Sequence, residues 1–180
     1  MTRTILGAVA GFLSLLLTGC SSVSYYGQAI AGQFEIATKQ QPIERILAGG
    51  EVDSGKARQL RLILELRQFA EAHLSLPAGR NYKSYADLER EHVVWSVFAA
   101  PEFSLEPKSW TYPVIGALDY RGYFDEDAAR KCAARLRADG YDVFVGGVDA
   151  YSTLGWFSDP VLNTFVHYED HELAELLFHE

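Results

Sequence analysis

YRGYFDEDAARKCAARLRADGYDVFVGG, residues 120–147, decides the fold. The stretch from Trp110 to Tyr123 reads as one or two strands around Pro113 and Gly116, rich in Tyr112, Tyr120, Tyr123 and Phe124. Asp125-Glu126-Asp127 marks a helix N-terminus, where acidic groups meet the positive end of the helix dipole. The helix runs through Ala128, Ala129, Cys132, Ala133 and Leu136 to Gly140. Tyr141 to Val145 then reads as a strand ending in Gly146-Gly147. Strand, helix, strand in that order predicts a sheet with a helix packed on one face, and an α+β domain.

Upstream, Val93 to Phe98 reads as a further strand bounded by Pro101. Before it lies a helical third. Ser21 to Tyr26 is a short tether into a helix with a loose stripe of Tyr25, Ala29, Gly32, Phe34 and Ile36. Pro42 starts a short helix through Leu47, which Gly49-Gly50 ends. From Ser54 to His73, Leu60, Ile63, Leu64, Leu66, Phe69 and Ala70 recur at three- and four-residue spacing. Arg58, Arg61, Glu65, Arg67 and Glu71 fill the other positions, as on a solvated face. Downstream of Pro160, Asp170 caps a helix carrying Leu173, Ala174, Leu176, Leu177 and Phe178, which runs into His179-Glu180. No Gly, Asn or basic residue caps that end, and Glu180 sits at the negative pole of the dipole. The expectation is a chain cut inside a helix.

The first nineteen residues read as a processing segment. Arg3 supplies positive charge, and Ile5 to Leu17 is apolar apart from small residues. This is shorter than the roughly 20 apolar residues a spanning helix needs. Leu17-Thr18-Gly19-Cys20 resembles the lipobox of bacterial lipoproteins, which implies cleavage before Cys20 and acylation of its thiol. Ser21, rather than Asp, implies sorting to the outer membrane, facing the periplasm. The mature part is long enough for one domain. Without Arg3 it carries 15 basic against 24 acidic residues, a net charge of −9. That balance argues against nucleic acid, and against binding an anionic bilayer by charge. Membrane attachment therefore falls to the lipid on Cys20. An acylated Cys20 leaves Cys132 alone, which excludes a disulfide framework, and Cys132 reads as a buried small hydrophobe on an apolar helix face.

An apolar helix running into His-Glu is how an H-E-x-x-H zinc helix begins. Histidines four apart share one helix face and can both reach one zinc, while the adjacent glutamate contacts the metal-bound water. His171-Glu172 fails the pattern, because Glu175 follows four residues later. His73, His92 and His167 are scattered without metal-ligand spacing, Ser152 lacks a G-x-S-x-G setting, and no glycine loop cradles phosphate.

Several stretches carry a resemblance to a known family: YKSYADL at 82–88, VVWSVFAAPEFSLEP at 93–107, YRGYFD at 120–125, VGGVDAYSTLGWFSDP at 145–160 and LLFHE at 176–180. On these the chain resembles bacterial lipoproteins described as zinc-dependent aminopeptidases of gluzincin type. The resemblance implies a signal peptide over 1–19. It further implies that 20–180 is the N-terminal part of one zincin-like peptidase domain, ending in the start of the active-site helix. It makes His179 a ligand to Zn2+, Glu180 the general base and a peptide the substrate. A Gly-Ala-Met-Glu-Asn pattern is absent, so exopeptidase action follows from the family name alone. For substrate binding, Tyr151, Ser152, Thr153, Gly155 and Trp156 form the best candidate segment, one able to pair with substrate backbone. The alternative is a structural loop that packs Trp156 and Phe157 into the core. Two rival functions stand beside the peptidase: a non-catalytic envelope lipoprotein that binds or scaffolds, and a prematurely stopped product whose Leu173, Leu176 and Leu177 face lacks partners.

Overall fold

A computed structural model describes residues 23–77, 79–112, 116–153 and 156–179. Cys20, Gly155 and Glu180, with the processing segment, lie outside the described residues. The fold is α+β, as expected. Helix α1 (23–39) leads into strand β1 (Gln41–Pro42), helix α2 (Ile43–Gly49) and helix α3 (Ser54–His73). Then come β2 (Ser84–Ala86), β3 (Val94–Pro101), β4 (Trp110–Tyr112), β5 (Gly116–Leu118) and β6 (Arg121–Tyr123). Helix α4 (Glu126–Ala138), β7 (Tyr141–Val148), β8 (Val161–Leu162) and helix α5 (Asp170–His179) complete the order.

The largest sheet has the order β6-β3-β7, with β3 antiparallel to both neighbours. Its period-two pattern sorts the faces. Val97 and Ala99 of β3, Tyr123 of β6, and Val143 and Val145 of β7 pack against Ala129, Ala133 and Leu136 of α4. Cys132 is half-buried at this layer, and no disulfide involves it. On the opposite face Phe98 stands across from Phe144, and both are exposed. α4 begins at Asp125, whose carboxylate accepts from the Ala128 N–H at 2.7 Å, and Arg135 and Arg137 sit in its last turn. A second sheet, β1-β2-β8, pairs β1 antiparallel and β8 parallel with β2. It roofs the main core of Ile36, Ile43, Leu60, Ile63, Ala86, Val93, Val161, Phe165 and Leu173. β4 and β5 form a separate antiparallel pair.

Several sequence expectations need correction. Phe34 does not belong to the inner stripe of α1, where Gly32 and Ile36 are buried while Phe34 is 68% exposed. Gly32 is buried because the Phe124 ring lies on it; a Cβ there would sit 2.1 Å from that ring. On α3, Arg67 is buried and Phe69 exposed, the reverse of the residue-type reading. Helical phase explains it: 60, 63, 67 and 70 form one line at three- and four-residue steps, which leaves 69 off the line. Gly146 and Gly147 do not end β7; they pair with Ser96 and Trp95 inside it. Pro42 lies in β1 rather than in α2, while β3 runs on past Phe98 and ends at Pro101. Among the described residues the Trp110–Tyr123 region holds three short strands rather than one or two, and Pro113 lies outside those residues.

The interior is rich in phenols. Burial raises the pKa values of Tyr85, Tyr112, Tyr123 and Tyr151, and burial with the Asp149 carboxylate pushes Tyr168 up to about 12. The folded state therefore keeps these protons longer than the unfolded chain, whose phenols ionise near the ordinary 10.0. Their stabilisation is whole below that value and drains away as pH rises through it. We expect unfolding midpoints to be flat from about pH 8 to about pH 10 and to fall above it, with these five phenols ionising at higher pH in the folded than in the unfolded protein. Ultraviolet phenolate titration checks this; all ten tyrosines ionising together in the folded protein would contradict it.

Candidate active site

α5 is built to present its last turn. Leu173 N–H donates to the Glu169 carbonyl at 2.9 Å, and the Glu172 carboxylate reaches back to accept from the Glu169 N–H at 3.0 Å. Glu169, not Asp170, thus stands at the cap position, and its reciprocal partner is the glutamate three residues on. Asp170 instead pairs with Arg58 of α3, with one contact at 2.9 Å, and the guanidinium holds its carboxyl below the ordinary range. Both groups are exposed, so the pair orients more than it stabilises. Gln59 of α3 donates to the Tyr168 carbonyl at 2.8 Å. At the far end, Phe69 of α3 meets Phe178 of α5, with ring centroids 6.2 Å apart, and His73 at 4.9 Å. Start meets start and end meets end, so α3 and α5 lie side by side and parallel. Leu173 is fully buried, and Leu176 and Leu177 pack against the same core. The apolar face of α5 has its partners.

This arrangement leaves His179 exposed at the tip. With Leu177 and Phe178 it lines a cavity of about 240 Å³, closed by Arg67, Leu76, Asn81 and Tyr82. Arg67 holds the cavity floor. Its Nε donates to the Asn81 carbonyl at 2.8 Å, and Nη2 to the Gly79 carbonyl at 2.6 Å and to Glu71 at 3.1 Å. Residue type alone hid this arginine from the sequence reading; its place in the helical phase was the available signal.

From Asn81 a chain of hydrogen bonds reaches the candidate substrate segment. Asn81 Oδ1 accepts from the Asp159 N–H at 3.1 Å, and Tyr82 N–H donates to the Asp159 carbonyl at 2.7 Å. The buried Asp159 carboxylate then accepts from the Thr153 N–H at 3.0 Å and hydroxyl at 2.7 Å. Thr153 is thereby committed to holding the segment in shape. Tyr151 donates to Gln33 at 3.2 Å and sets its ring against Phe124. Ser152 is half-buried. Trp156 N–H donates to the Thr153 carbonyl at 3.1 Å and Phe157 N–H to the Thr153 hydroxyl at 3.1 Å, so the chain bends here rather than running extended. The alternative of Trp156 and Phe157 packing inward is overturned: they are 70% and 59% exposed. Two aromatics therefore face solvent on a loop tied, through Asp159 and Asn81, to the wall of the His179 cavity.

A second cluster escaped the sequence reading. His92 Nδ1 lies 2.5 Å from one Asp149 carboxylate oxygen, and the Tyr168 hydroxyl donates to the other at 2.5 Å. Thr164 donates to the Asp149 carbonyl at 2.5 Å. The His92 ring lies on Gly147, where a Cβ would come within 2.1 Å, and meets Trp95 edge-on. The available signal was a glycine inside a strand, which marks close approach. This cluster ties the end of β7 to the chain entering α5, and so helps to aim the helix. His73, His92 and His167 do not converge on one point. Among the described residues, no three His, Cys, Asp or Glu side chains are grouped to hold a metal ion. A larger cavity, of about 900 Å³, lies at the opposite end of α3 around Lys39, Arg45, Lys56 and Asp87, and its lining includes none of the described predicted site residues.

A family model matches residues 24–180 and makes the chain a peptidase-type enzyme. That family is described as "Putative aminopeptidase", and the chain belongs to it. Neither the curated proteins nor the solved structures gave a match. No described helix is long and apolar enough to cross a membrane.

Proposed function

We propose that this chain is a zinc-dependent aminopeptidase of the bacterial envelope, held at the outer membrane by acyl chains on Cys20, with His179 as a zinc ligand and Glu180 as the general base. The observation that carries the reading is the exposed His179 imidazole at the end of a helix anchored on α3, over a cavity tied to an aromatic loop. Trp156 and Phe157 are then the side chains available to a peptide's apolar groups, while Thr153 and Asp159 hold the loop.

The described residues do not complete a zinc site. One imidazole cannot hold the metal in tetrahedral coordination, and no chemical step through zinc follows from this set. In the protein with its metal site filled, His179→Ala is expected to abolish zinc-dependent release of N-terminal residues from peptides. Undiminished zinc-dependent release by that variant would overturn the assignment of His179 as a ligand. Where the chain continues past Glu180, the reading requires a histidine four residues after His179. Another residue there would favour the rival, a non-catalytic lipoprotein that binds or scaffolds.

A further inference from the structure

α1 carries two apolar faces, and among the described residues only one is packed. The inner face is fixed at several points. The Phe124 N–H donates to Gln28 at 2.8 Å, the Phe124 ring covers Gly32, and Arg121 lies 3.9 Å over the Tyr25 ring. Glu35 pairs with Arg90 at 2.8 Å. With the helix so held, Val23, Tyr26, Ile30 and Phe34 must point away from the body. They follow at steps of three, four and four residues, which places them on one line, and they are 73%, 40%, 70% and 68% exposed. Single exposed apolar residues are ordinary, whereas a continuous row on one helix marks a contact surface. From Val23 to Phe34 there is no charged residue, in a chain whose net charge is −8. A charge-free row of this kind fits neither an acidic nor a basic protein partner by electrostatics.

We propose that this outer face of α1 lies in the surface of a lipid bilayer, with the helix axis along the membrane plane. The inference rests on the Cys20 anchor and is independent of the peptidase chemistry. Cys20 lies three residues before Val23, and three residues span at most about 11 Å. Acyl chains on Cys20 therefore bring the start of the row to the headgroup level, where an amphipathic helix sinks its apolar side about 5–10 Å. Tyr26 suits that depth, since its ring is apolar and its hydroxyl is not. Lacking basic residues, the row has no need of anionic lipid, and adsorption is insensitive to salt.

The test uses the full acylated protein in phosphatidylcholine vesicles, in a Cys132→Ser background. A fluorophore is attached at Ile30→Cys or Phe34→Cys, and at Phe144→Cys, an exposed site on the sheet, as the control. With brominated phosphatidylcholine, emission at positions 30 and 34 is expected to fall at least about twofold and to be unchanged by salt, with position 144 unaffected. Quenching at 30 and 34 no greater than at 144 overturns the inference. That result also covers a second copy or another part of the chain seated on the row, since neither brings lipid to the label. Mass analysis of Cys20 separates the failures. An unacylated Cys20 sinks both anchor and docking, whereas an acylated Cys20 with unquenched labels sinks the docking alone.

Discussion

Leu173→Ala is expected to destabilise the protein by about 3–5 kcal/mol, the range for deleting a fully enclosed leucine side chain. Leu173 is the one residue of α5 with no exposure, and it belongs to the same cluster as Leu60 and Ile63 of α3. The exposed ion pair at one end, the ring contact at the other and the half-buried Leu176 and Leu177 do not refill the space that Leu173 leaves. Helix α5 should therefore loosen as a unit and take His179 away from its cavity. Urea denaturation measures the loss as a lower midpoint at constant slope. A change below about 1 kcal/mol would mean that the helix is not integral to the core.

Arg67→Met is the second large effect, at about 2–3 kcal/mol. Methionine keeps most of the packing of the arginine stem, so the loss reports on the guanidinium. Its removal leaves the carbonyls of Gly79 and Asn81 without their donor in a site where Arg67 is only 9% exposed. Glu71 is half-exposed and can turn to water, so the cost stays below that of a fully enclosed ion pair. Arg67→Lys should recover little, since one ammonium cannot reproduce a fork that reaches separate carbonyls. The diagnostic readout is amide hydrogen exchange. The Tyr82 N–H, bonded to Asp159, should exchange faster in the variant. Unchanged protection there would separate Arg67 from the loop that carries Trp156.

What could be read beforehand follows from the range over which each signal acts. α3 and α4 were legible because periodicity and caps operate within a few residues: Asp125-Glu126-Asp127 and Gly140 name α4 without any tertiary knowledge. β1, β2 and β8 were not, since two or three residues carry no period and each strand exists only through its partner. Arg67 shows a signal present and misweighted, with helical phase placing it inside and charge suggesting outside. Phe34 is the converse, an aromatic assigned inward by type and placed outward by phase. At the site, His179 announced itself through its neighbour. The Asp149 cluster could not, because its partners lie 57 and 19 residues away in sequence and carboxylate, imidazole and phenol share no local pattern.

The strand order β6-β3-β7 also has a consequence for assembly on the ribosome. The middle strand emerges first and both flanking strands emerge later, so the edges of β3 wait for their partners, the last until Val148 can reach Val94. Those edges invite pairing with a neighbouring polypeptide. Slow, non-local closure of this kind makes the interval before β7 appears the hazardous stage of biogenesis, when a holdase protects yield more than any gain in final stability could.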